Sequence, residues 1–338
     1  MEPRKLMALG KSSIVIAIPK HWLRRSRLEK GDTVSVNVQS DGSLSIYPSE
    51  YSNEENKITL LVAENEEKVP LTRRMISCYV NGFSDINLKS EKIFSVDQQE
   101  AIREISKMLY LRIMKSSSKE ITIQSTLDES IESMALGIER MHSITWSMCL
   151  DILESIKNRN KEQAETVLTL ENDVDQFAYF LLRLLRMASQ NSAIAEKLDL
   201  DMLDCLDMYT IIDKIEKIAD HIEIIAINVI EMLERHGEGQ EGVISILLEA
   251  AEMTFNSYEK ALNAFLTKDV SKINEIIDNQ DDVEELVMLI TPLPFSGSIK
   301  ERQNLCPICS IRESINRISE YAGDIAELTL DRSLRQIT

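Results

Sequence analysis

Four acids stand at spacings of three, four and three in the stretch DKIEKIADHIE: Asp213, Glu216, Asp220 and Glu223. Residues three and four apart share a helix face, so on a helix these carboxylates form one seam. Each like-charge pair at that spacing costs about 0.2–0.5 kcal/mol on an isolated helix, and more against a second acidic helix. Two arrangements relieve the repulsion. One is a solvated face, helped by an Asp213–Lys217 pair at i,i+4 and ordinary for an acid-rich chain. The other is a hard or borderline cation, which converts the repulsion into binding. An earlier stretch, LENDVDQFAYF, places Glu171 and Asp175 four apart as well. Two such helices packed side by side would bring Glu171, Asp175, Glu216 and Asp220 together, as facing helices do in di-iron carboxylate bundles.

The elements that would carry these residues follow from composition and periodicity. The 338 residues are 43% hydrophobic and 28% charged, a globular composition with room for two or three domains. The net charge of −18 excludes a surface that binds nucleic acid throughout. Residues 1–50 differ: eight Lys or Arg face five acids, and between residues 3 and 30 the only acid is Glu29. A small basic front on a large acidic body points to a local nucleic-acid-binding module. No apolar run reaches the ~20 residues of a membrane span, and no secretion signal is present, so a cytoplasmic protein is expected. Five cysteines, an odd number, read as reduced thiols.

Three sections are expected: a multidomain, mainly α chain. Residues 1–50 read as strands, with SIVIAIP (Ser13–Pro19), TVSVNVQ and SLSIYP around a short helix and an EKGD turn. So small a unit buries little surface, and a homodimer with an intertwined core follows from size. Residues 51–125 alternate as a small βαβαβ unit, its first helix closed by Gly82 and its second, capped by Ser95, running from SVDQQEAI to LYLRIM. Residues 126–338 are helical. Ile131, Met134, Ile138, Met141, Met148 and Ile152 form a core stripe, and breaks near 158–161, 189–192, 235–242, 267–269 and 291–298 divide the section into six helices.

The residues RKLMALGKSSIVIAIPKHWLRRSRLEKGDTVSVNVQSDGSLSIYP resemble the AbrB-like swapped-hairpin DNA-binding domain, over Arg4 to Pro48. Relatives carry a Gly-Leu type step where this chain has Ser26-Arg27. The resemblance implies DNA contacts from Arg4, Lys5, Lys11, Lys20, Arg24, Arg25 and Arg27. Their chemistry is phosphate neutralisation, which gives affinity and salt dependence but little sequence choice.

The helical section contains an internal repeat. LENDVDQFAYFLLRLL aligns with NQDDVEELVMLI at an offset of 109, and DKIEKIADHIE with ESINRISEYAG at an offset of 100. Two three-helix units result, about 127–235 and 242–336. This section resembles PhoU, a phosphate-signalling family of two three-helix bundles with an E-x-x-x-D pair on the second and third helices of each. The resemblance implies a metal site at Glu171, Asp175, Glu216 and Asp220. The second unit aligns Gln280 with Glu284 and Asn316 with Glu320, so one acid of each pair is an amide and a second site at Glu284 and Glu320 should be weaker or absent. Oxygen donors suit Fe, Zn, Mg or Mn, and equally Ca.

Cys306 and Cys309 have C-x-x-C spacing but no second ligand pair, and read as a loop leading into the sixth helix. His221 adjoins Asp220 and reads as a helix-surface residue. No Ser/His/Asp arrangement, Walker loop or G-x-G-x-x-G occurs, and a non-enzymatic role is expected. The two resemblances together imply a cytoplasmic regulator of phosphate uptake with a DNA-binding front, acting with a phosphate transporter or sensor. One alternative is a PhoU-type adaptor whose front only dimerises. The other is a carboxylate-bridged metal enzyme, which lacks the E-x-x-H motif such bundles use.

Overall fold

The computed structural model describes residues 3–10, 13–38, 42–48, 56–125, 133–234, 241–290 and 299–335. Lys11, the expected helix start at 127–132 with Ile131, His236 and the break at 291–298 lie outside them. The chain divides into two compact units, 1–56 and 57–338.

The first unit is two short hairpins around one helix. β1 (Met7–Leu9) pairs antiparallel with β2 (Ser13–Val15), then come α1 (Lys20–Arg25), β3 (Val34–Val38) and its antiparallel partner β4 (Leu44–Pro48). The expected strand Ser13–Pro19 stops at Val15, and Pro19, which has no amide donor, serves as the residue before α1. The non-glycine step noted above has a backbone consequence: Arg27 sits at φ +52°, a left-handed conformation that costs a side-chain-bearing residue roughly 1 kcal/mol. None of the described residues of this unit is buried, while Leu6, Met7, Leu9, Ile14, Ile16, Val36, Val38 and Leu44 are exposed. Two-stranded hairpins with no shared core are marginal alone.

The second unit opens with an α/β layer. β5 (Lys57–Leu61), α2 (Lys68–Val80), β6 (Asp85–Lys89), α3 (Val96–Met108), β7 (Leu111–Ser116) and β8 (Glu120–Ser125) build a sheet of order β5-β6-β8-β7, parallel only between β5 and β6. Gly82 does close α2, at φ +90°, and Ser95 caps α3 in a reciprocal box with Gln98. The expected single helix through LYLRIM is incorrect. Tyr110 takes φ +51° and turns the chain, and Leu111 and Ile113 then face inward as alternate residues of β7. The layer is thus βαβαββ rather than βαβαβ.

Helices make up the remainder: α4 (Met134–Asn158), α5 (Lys161–Gln190), a short α6 (Ser192–Lys197), α7 (Met202–Glu234), α8 (Glu241–Thr267), α9 (Ile273–Met288) and α10 (Ile299–Leu334). Met134, Ile138, Met141, Met148 and Ile152 are all buried, so the stripe is core. One continuous apolar cluster runs through both helical repeats. The third helices of the repeats, α7 and α10, meet reciprocally. Lys214 lies over the Tyr321 ring at 4.8 Å, and His221 Nδ1 is 3.2 Å from the Ser314 hydroxyl. Residues 314 and 321 are the offset-100 counterparts of 214 and 221, so each contact is the other's image, as in two-fold packing. His221 therefore belongs to this interface, not to the surface as expected. The C-x-x-C pair also differs from expectation: Cys306, Pro307 and Cys309 lie within α10, which starts earlier than the motif.

The α/β layer is fastened to α5. The Arg183 guanidinium, almost fully buried, donates to the carbonyls of Tyr79, Gly82 and Phe83 at the end of α2 and stacks 4.8 Å over the Tyr79 ring. Those carbonyls lie at and just past the end of α2, where a cation suits the negative end of the helix dipole. Gln176 donates to the Met108 carbonyl, and Arg186 to Asn81 Oδ1 at 2.9 Å.

Candidate metal centre

The second and third helices of the first repeat bring the acids together. α5 begins at Lys161 behind an Asn160 cap and presents Glu171 and Asp175 one turn apart. α7 buries Ile211, Ile212, Ile215, Ile218, Ala219 and Ile222, and its next face carries Glu216, Asp220 and Glu223. One carboxylate oxygen each from Glu171, Asp175 and Asp220 lie within 4.8 Å of one another. Two oxygens bound to one ion at roughly 2.0–2.6 Å are at most about 5 Å apart, so the three are close enough for a common cation to draw together.

The electrostatics fit as well. Burial, then Asp175, Glu223, Asp220 and Glu216, pushes Glu171 up to about 7. Asp175 is raised to about 6 by burial, then Asp220 and Glu223. Glu216 reaches about 7 through burial, Asp220, Asp175 and Asp213, opposed by Lys217. Asp220 and Glu223 are also raised, mainly by burial. Among the described residues no Lys or Arg forms a salt bridge with any of these five acids. Lys217 is engaged with Asp213 at 2.6 Å, and Lys214 with Asp324 at 2.6 Å. Half-buried carboxylates crowded together, offset only in part by Lys217 and His221, could hold a cation.

Glu216 stands outside the tight trio, feels the charges of Asp220 and Asp175, and itself acts on Glu171. Glu223 was in the sequence seam, three residues past Asp220, yet the E-x-x-x-D pattern left it out; in the structure its charge acts on Glu171 and Asp175. Tyr179, one turn beyond Asp175, was also missed. Its phenol is pushed up to about 12 by burial, then by Asp175, Glu216, Glu171 and Asp220.

In the second repeat, Glu284 is exposed on α9, and Glu320 accepts from Asn316 Nδ2 at 3.1 Å and pairs with Arg317 at 2.8 Å. The counterpart of Glu223 is Gly323, and the Gln280 amide lies across it, donating to the Ser319 carbonyl at 3.0 Å. Any side chain at 323 would collide with that amide. Two amides and a glycine thus occupy the positions of Glu171, Glu216 and Glu223, and Arg317, the counterpart of Lys217, pairs with Glu320.

The six described basic candidates of the front unit, Arg4, Lys5, Lys20, Arg24, Arg25 and Arg27, are all exposed, before β1 and on or just after α1. No helix among the described residues is long and apolar enough to cross a membrane.

A family model for the PhoU domain matches the chain twice, over residues 138–229 and 247–329. Together the spans exceed half of the chain, and the first contains Glu171, Asp175, Glu216, Asp220 and Glu223. No curated protein matches it.

Proposed function

The chain belongs to the PhoU domain family, and from that premise we propose that it is a regulator of phosphate uptake and homeostasis in which a metal-binding helical body governs a DNA-binding front. Membership of the family supports the phosphate-regulatory role in general. The observation that carries the finer reading is the trio Glu171, Asp175 and Asp220, with oxygens within 4.8 Å and no salt bridge to Lys or Arg among the described residues. Glu171 and Asp175 would hold the ion from α5 and Asp220 from α7, with Glu216 and Glu223 beside them. When bound, the ion supplies charge neutralisation, which draws the two helices together. The weaker second site at Glu284 and Glu320 stays part of the proposal only as a low-affinity position.

The apolar residues exposed on both hairpins support a homodimer through the front unit. Arg4, Lys5, Lys20, Arg24, Arg25 and Arg27 support phosphate-backbone contacts there, with Lys11 proposed from sequence alone. A phosphate transporter or sensor is the proposed partner of the helical body. Filter binding of the full chain to duplex DNA at two salt concentrations, with and without metal, tests the reading. Binding that weakens with salt and changes with metal is the expected result. Absent or salt-insensitive binding would leave a PhoU-type adaptor whose front only dimerises, a reading favoured by the same exposed apolar residues.

A further inference from the structure

Tyr179 lies at i+4 from Asp175 and i+8 from Glu171, so the three share one side of α5. Long side chains on a helix lean toward its N-terminus, which directs this phenol back over the turn that carries Asp175. Its ring packs against the apolar core of the α/β layer, which fixes the ring's position. The hydroxyl makes no hydrogen bond to protein among the described residues, whereas the buried Tyr258 hydroxyl is bonded to His142 at 2.9 Å. Gln176 and Arg183, on either side of Tyr179 in the sequence, anchor the same stretch of α5 to backbone carbonyls of the layer.

We propose that Tyr179 is a further donor of the metal centre, its phenol oxygen coordinating a ferric ion held by Glu171, Asp175 and Asp220. The O–H bond breaks as the iron–oxygen bond forms, and the proton passes to solvent; the oxidation state of the iron does not change. This rests on the metal-centre reading above. A bound cation inverts the local preference for the neutral phenol, as it does for other coordinating groups. An anionic oxygen added to three carboxylates favours a hard trivalent ion over a soft divalent one. The α/β layer then acquires a definite part in the site, because it clamps one of the donors.

The test loads metal-free full-length protein with ferric iron and measures iron per chain beside visible absorption. Wild type should bind iron and show a phenolate-to-iron charge-transfer band. Tyr179→Phe should retain the iron and lose the band. Resonance Raman spectra of the wild-type complex, showing tyrosinate ring modes, make the same assignment even if the variant folds poorly. Iron-loaded wild type without the band, or a band that survives Tyr179→Phe, overturns the donor. Equal iron in wild type and Glu171→Gln overturns the carboxylate site itself, so the two failures are separable.

Discussion

Replacing Glu171 by Gln should stabilise the metal-free protein and destabilise the metal-loaded one. In the free protein the Glu171 carboxyl is raised from 4.5 to about 7 by burial and its acidic neighbours. Above about pH 7 the group is ionised in both folded and unfolded chains, and the folded state bears the full penalty of holding it charged. A shift of that size corresponds to about 3 kcal/mol. Glu171 is only half-buried and solvent screens it, so about 1–2 kcal/mol is the expected gain for the neutral isostere. For a unit of this size that is about 2–6 °C in melting temperature. Saturating metal adds RT ln(1 + [L]/Kd), about 4 kcal/mol at a thousandfold excess over Kd, to wild type and less to a variant lacking one ligand. The two melting temperatures should therefore exchange order when manganese or iron is added to chelator-stripped protein. Calorimetry of both proteins in both states reads this directly. A variant less stable without metal, or equal metal-induced gains, would refute the reasoning.

The largely covered His142, bonded to Tyr258 between α4 and α8, is held down at about 4 by burial. The unfolded chain then binds the proton first, so this contribution is present above about pH 6.5 and is lost as pH falls toward about 4, by about 3 kcal/mol; urea titrations of wild type against His142→Gln should differ in that window and in that direction. Arg183→Met should cost about 2–4 kcal/mol, because it removes the guanidinium donor from the carbonyls of Tyr79, Gly82 and Phe83, of which that of Tyr79 keeps the Gly82 N–H, and amide exchange should rise first around residues 79–83; unchanged protection there would mean the layer is held by other contacts. Ile14→Glu and Val38→Asp, both at exposed positions, should convert a dimer to a monomer in sedimentation, and retention of the dimer would remove the shared-core argument. The double variant Arg24→Ala/Arg25→Ala should lower the salt slope of DNA binding by about two per protomer, about four for the dimer, whereas an unchanged slope would make these bases ordinary solvated charges.

Much of the helical body is legible in the sequence, because caps and apolar periods are local signals. Asn160, Ser95 and Gly82 mark ends that the backbone respects, and the stripe from Met134 to Ile152 marks the core. The failures occur where one pattern fits two structures. Leu109, Leu111 and Ile113 continue a helix as readily as they form a strand, and only the left-handed turn at Tyr110, a tertiary outcome, separates the two. CPIC resembles a loop because it contains a proline, yet α10 passes through it; the packing of Ile308 and Ile311 into the core favours helix there. His221 looked like a surface residue because a single helix does not reveal which neighbour covers it. The acids were readable from their spacing, while the lack of a salt bridge to them was not: Lys214 and Lys217 adjoin the seam in sequence but pair with Asp324 and Asp213 in space. Tyr179 carried a signal, its i+4 position after Asp175, which a motif written only in acids passes over.

The central claim is that α5 and α7 press Glu171, Asp175 and Asp220 into one oxygen-lined site that binds a cation. Elemental analysis of the purified full-length protein beside Glu171→Gln, Asp220→Asn and Glu284→Gln measures it most directly. Bound metal is expected in wild type and in Glu284→Gln, with its loss in the first two variants. Equal metal content in all four, or none in wild type after reloading, would contradict it.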